Sequence, residues 1–149
     1  MRDASKPERD LARRLILQES RGEQSSLALV AATDQTFDRL FRHLSTLIGT
    51  DGFDALAKRA LHLAAIDFPI LQGVSTRVEA DTFRYQGLTA CTYGRGQDEV
   101  EDGLEALLGY FFWLLIMFVG ANLFDRLMRG VWTNLQIEDS GSRSEGGLE

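Results

Sequence analysis

Two histidines, His43 and His62, and a single cysteine, Cys91, are the side chains of this sequence best suited to phosphoryl transfer, metal ligation or nucleophilic attack. His43 lies in FRHLSTLIG. A phosphotransfer histidine on a bundle helix works in an H-x-L-K-G setting, where a cation and a small residue admit the phosphoryl group. Here Ser45 and Thr46 stand where lysine and glycine are expected, so a histidine phosphotransfer-like signalling protein is an alternative reading and not the leading one. No H-x3-H or E-x-x-H spacing joins the histidines into a metal-ligand set.

The acidic run Asp98, Glu99, Glu101, Asp102 and Glu105 lacks the alternation of a calcium loop and suits the positive end of a helix dipole. YGRGQ, around Gly94 and Gly96, places two glycines before that helix but lacks both a Walker lysine and the third glycine of a dinucleotide fingerprint. A lone cysteine forms no intrachain disulfide and no Cys-based zinc cage; Cys91 reads as a small buried hydrophobe. No G-x-S-x-G elbow occurs. No nucleophile, base and oxyanion donor can be assembled, so neither enzyme activity nor a cofactor is expected.

The elements that would carry these residues are mostly helical. Ser5, Pro7 and Glu8 open a first helix as a capping box with proline in the first turn, and Leu11, Leu15 and Ile16 give it a thin apolar stripe. Phe37, Leu40, Phe41, Leu44, Leu47 and Ile48 recur at helical offsets, predicting a core helix over 34–48 that stops at Gly49. Thr50 or Asp51 would cap the next, over 51–66, whose stripe of Phe53, Leu56, Ala60, Leu61 and Ala64 ends before Pro69. So short a connection makes an antiparallel helical hairpin. Between 74 and 93 the helical period gives way to Val74, Val78, Phe83, Tyr85 and Tyr93, which predicts a small β hairpin or an irregular loop with one covered face. A long central helix then runs from Asp98 to Trp132.

That helix holds nineteen consecutive uncharged residues, Ala106 to Phe124, long enough at ~1.5 Å per residue to approach a ~30 Å hydrocarbon core. The flanks argue against a span. Acids and Arg95 precede it while Arg126 and Arg129 follow it, so one orientation exports about a hundred residues without a signal and the other puts the basic flank on the wrong side. A membrane-associated protein anchored at 106–124 is therefore the second alternative. The favoured reading is a mainly α bundle around a very apolar central helix, one domain over residues 5–133, with a disordered tail at 134–149 whose Leu148 and Glu149 read as vector-derived. More aromatic surface gathers on Tyr110 to Phe124 than the amphipathic helices can cover, so Phe111, Phe112, Leu115, Val119 and Phe124 are the expected interaction surface, with a second copy as the expected partner.

A net charge of -6, from 16 basic and 22 acidic side chains, disfavours nucleic-acid binding. The N-terminus MRDASKPERDLARR lacks the apolar core of a secretion signal, so a cytoplasmic location is expected. LSTLIG from Leu44, GFDALAKRAL from Gly52, Pro69, and FVGANLFDRLMRGVW from Phe118 together resemble a bacterial family of helical proteins that closes on F-[IV]-G-E-D-L-x-x-R-L-x-x-x-W-P. The resemblance implies an intracellular helical domain, no particular chemistry, and Leu123, Leu127 and Trp132 toward the core with Arg126 outward. Ala121 and Asn122 replace the usual acidic pair, and Thr133 the usual proline. Together these readings predict a non-catalytic, self-associating protein-interaction or regulatory module.

Overall fold

The computed structural model describes residues 6–132; the capping role of Ser5 and the tail at 134–149 lie outside them. Six helices and one two-stranded sheet follow in the order α1 (Lys6–Glu19), α2 (Ser26–Ile48), α3 (Thr50–Asp67), a 3-10 turn (Pro69–Gly73), β1 (Ser75–Glu79), β2 (Thr82–Gln86), α4 (Leu88–Thr92), α5 (Gln97–Val119) and α6 (Ala121–Val131). The mainly α expectation holds, and the uncertain segment is a hairpin. Its strands pair antiparallel from Ser75 opposite Gln86 to Glu79 opposite Thr82, and Ala80 turns the chain with a φ of 53°. Alternation puts Phe83 and Tyr85 inward and leaves Thr82, Arg84 and Gln86 in solvent. The short α4 has too few residues to show a helical period, which is why it escaped the sequence reading.

α2 begins at Ser26, well before the expected start at 34, because the Ser25 hydroxyl accepts the Ala28 N–H at 3.2 Å and caps the helix. Thr33 and Thr36 are fully buried on its inner face. Each donates its hydroxyl to a backbone carbonyl one turn back at 2.8 Å, so neither is left unpaired. α2, α3, α5 and the hairpin meet around a cluster of rings: Phe37 packs edge-on to Tyr85 at 4.8 Å and to Phe111 at 5.3 Å, and Phe53 to Phe83 at 5.0 Å. The Tyr85 hydroxyl donates to the Ala57 carbonyl at 2.8 Å, which ties the hairpin to α3.

Two expectations are corrected. Neither Thr50 nor Asp51 caps α3; the preceding Gly49, at φ 84°, donates its N–H to the Ser45 carbonyl and accepts from Phe53 N–H, so one residue ends α2 and starts α3 without room for a side-chain cap. Nor is the stretch from 98 to 132 one helix. Gly120, at φ 91° and ψ 157°, breaks it in the same manner, donating to Ile116 and accepting from Phe124. Only glycine occupies that region of backbone space readily.

These two breaks belong to an internal repeat. Laying Gly49 over Gly120 brings α2 onto α5 end to end, since both helices have 23 residues. Phe41, Leu44, Phe53, Asp54 and Leu56 then coincide with Phe112, Leu115, Phe124, Asp125 and Leu127. Burial agrees across the pairs: the first three are buried in both halves, and Leu56 and Leu127 are half-buried. The ring pair that holds each bend closed is also repeated, Phe41 on Phe53 at 5.2 Å and Phe112 on Phe124 at 5.6 Å. The described residues thus form two helix–glycine–helix units, α2–α3 and α5–α6, with α1 before them and the 3-10 turn, the hairpin and α4 between them.

Candidate interaction face

Four of the five residues expected on an interaction surface are inside the domain. Phe111, Phe112 and Leu115 are fully buried and Phe124 nearly so, leaving only Val119 half-exposed. The expectation failed because a helix apolar on all sides carries no record of which side its own domain covers. α1, α2 and α3 all pack on α5, and α6 returns to cover Phe112. Leu123 and Leu127 are half-buried, while Trp132 is buried with the Arg39 guanidinium 5.7 Å above its ring and Arg126 faces solvent.

The apolar surface that remains lies one face further round. Ala106, Tyr110, Trp113, Leu114 and Met117 form a stripe at helical spacing along α5; its beginning is buried, with the Tyr110 hydroxyl 2.8 Å from Asp67 Oδ2, and its end emerges. Trp113 and Leu114 are half-buried, Met117 is 67% exposed and Phe118 64%. The repeat supplies an internal control. The equivalent positions on α2, Arg42, His43, Thr46 and Leu47, are exposed, and three of the four are polar. The fold therefore accepts a solvated face at this place, yet in the second unit it is apolar.

The other candidate residues are dispersed. His43 is exposed on α2, its ring nitrogen 3.4 Å from the Arg39 carbonyl, in a shallow depression shared with Glu19, Asp38 and Arg42. His62 is exposed on α3 and borders a different depression with Lys58 and Gln72. Cys91 is half-buried against Gly73. Among the described residues no three His, Cys, Asp or Glu side chains are grouped to hold a metal ion. A cleft of about 520 Å³ lies between α1 and the α5–α6 bend, with Leu11, Ile116 and Phe124 as its apolar wall and Glu8, Asp10, Asp125 and Arg14 among its polar residues.

Two acids that the motif reading did not single out as a pair occupy equivalent places in the repeats. With Gly49 aligned on Gly120, Asp34 of α2 corresponds to Glu105 of α5. Burial raises the Asp34 carboxyl to about 6 against the pull of Arg84, and its Oδ1 is buried without a hydrogen-bond partner. Glu105 is 8% exposed and burial carries it to about 7; Arg13 and Arg9 pull it down while Glu101 and Asp102 push it up. Neither feature shows in the sequence, because the neighbouring elements, β2 beside Asp34 and α1 beside Glu105, are both distant in the chain.

Comparison with protein-family models, with curated proteins and with solved structures finds no match. α5 is long and apolar enough to cross a membrane, but most of its apolar window is buried inside the domain.

Proposed function

We propose that this chain is a non-catalytic protein-interaction module that self-associates through the outer face of the C-terminal half of α5: Leu114, Met117 and Phe118, flanked by Trp113. The observation that carries the reading is the contrast between repeats: Arg42, His43 and Thr46 on α2 are polar and exposed, whereas their counterparts on α5 are the half-buried Trp113 and Leu114 and the exposed Met117, followed by the exposed Phe118. Core packing does not ask for that difference, whereas burial against an outside apolar surface does, at ~25 cal/mol per Å² before association costs. A second copy fits because a single patch meeting itself about a twofold axis is self-complementary. The uncharged run from 106 to 124 also lets two chains of net charge -6 meet without pressing carboxylates together. Anchoring 106–124 in a bilayer would instead require Phe111, Phe112 and Leu115 to leave the core.

The test is sedimentation equilibrium of the full chain and of the double variant Met117→Glu, Phe118→Glu, with circular dichroism as the check on folding. The expected result is a dimer that the substitutions convert to a folded monomer. A wild-type chain that stays monomeric at every concentration, or one that pellets only with neutral lipid vesicles, would overturn self-association.

A further inference from the structure

α1 packs along α5 without filling the space beside the α5–α6 bend, and the cleft of about 520 Å³ left there differs in chemistry from the matching bend of the first unit. With Gly49 aligned on Gly120, its wall residues Ile116 and Ala121 correspond to Ser45 and Thr50, so two polar positions have become apolar. Leu11 of α1 and Phe124 of α6 continue that wall. The acid that follows the bend has also lost its counter-ion. Asp54 pairs with Lys58 at 3.0 Å, whereas the corresponding Asp125 is half-buried at the cleft and forms no ion pair with Arg129, which faces solvent. On the α1 side, Glu8 keeps Oε1 buried without a hydrogen-bond partner. Asp10 pairs with Lys6 at 3.8 Å, and Arg14 lines the cleft without forming an ion pair with either Glu8 or Asp125.

We propose that this cleft binds a small organic cation, a primary ammonium carried on a short aromatic or aliphatic body. Glu8 and Asp125 hold the ammonium, and Leu11, Ile116 and Phe124 receive the body. Burying a carboxylate oxygen without a donor is unfavourable, and a cation brought to it offsets that cost. An acid in the first turn suits a helix dipole, which accounts for Glu8 as a residue type but not for its unpaired oxygen; Asp125 lies beyond the first turn of α6. The cleft has the size and character of small-molecule sites, which are mainly apolar hollows of ~300–1,000 Å³ with a few placed polar groups. An anion would face the carboxyls of Glu8, Asp10 and Asp125 with Arg14 as its cationic contact, and a neutral hydrocarbon would leave Glu8 unpaired. The first unit has no such site, since no helix there corresponds to α1 and its aspartate is already paired. Neither Met117 nor Phe118 lines the cleft, so binding does not depend on self-association.

Titration of the full chain with phenethylammonium, phenethyl alcohol and phenylacetate, three probes of one shape and different charge, tests this by nitrogen–proton correlation spectra. The ammonium should shift the backbone amides of 8–14 and 116–125 saturably, and the alcohol and the carboxylate should bind about tenfold more weakly or worse, a charge-assisted hydrogen bond being worth about that factor. Glu8→Gln and Asp125→Asn should each weaken the ammonium by about tenfold, with circular dichroism as the check that the variants fold. The comparison of probes on the wild type stands whether or not they do. No saturable shift, equal binding of the alcohol, or shifts centred on Met117 and Phe118 instead would overturn the proposal, as would folded variants that bind the ammonium undiminished.

Discussion

Replacing Gly120 by alanine isolates the step on which the architecture turns. An added Cβ there meets no atom within 4 Å, so the substitution carries no packing penalty and its whole effect is the backbone at φ 91°, ψ 157°. Holding an L-residue in that region costs ~1–3 kcal/mol. Gly130 is the matched control: it also has nothing within 4 Å but lies inside α6, where alanine should stabilise by up to ~1 kcal/mol. With a urea slope of ~1–3 kcal/mol per molar, Gly120→Ala should lower the unfolding midpoint by on the order of 1 M, and Gly130→Ala should raise it slightly. Gly49→Ala, at φ 84° and equally unobstructed, should behave like Gly120→Ala because it serves the same bend in the first repeat. A neutral or stabilising Gly120→Ala would mean that residue 120 is helical, that α5 and α6 are one continuous helix, and that Phe124, Met128 and Trp132 are not folded back on the core.

Stability should also depend on pH with a definite sign. Glu105 and Asp34 hold their protons to about 7 and about 6 when folded, against reference values of 4.5 and 3.8, so the folded state binds more protons between these limits. The stabilisation is complete below about pH 4 and is lost as pH rises through about 7; allowing for partial solvent screening it amounts to ~1–3 kcal/mol, and urea midpoints of Glu105→Gln should show a correspondingly smaller decline from acid to mildly basic pH. Phe112→Ala removes a fully buried ring packed edge-on against Phe111 and Phe124 and should cost ~3–5 kcal/mol by chemical denaturation. Tyr85→Phe deletes only the bond to the Ala57 carbonyl and should cost ~0.5–1.5 kcal/mol in the same assay.

Much of the architecture was legible in the residues themselves. The 3- and 4-residue recurrence of Phe37, Leu40, Phe41 and Leu44 specifies a helix with one inner face, and the alternation of Phe83 and Tyr85 with polar neighbours specifies a half-covered strand, because in both cases the pattern and the burial share a period. The matching Gly-x-x-x-Phe-Asp segments at Gly49 and Gly120 were also present in the sequence, but a repeat preserved mainly at core positions is diluted by everything between them. What the chain alone left undecided was the orientation of α5, since apolar residues on every side give no direction; contact with α1, α2, α3 and α6 hid Phe111, Phe112, Leu115 and Phe124 and left Met117 and Phe118 outside. A lone glycine in a helical run is tolerated, so only the return of Phe124 onto Phe112 reveals Gly120 as a bend. Asp34 and Glu105 read as ordinary acids until β2 and α1 are laid across them, because a carboxyl is perturbed by the water it loses, and that loss is a property of tertiary structure.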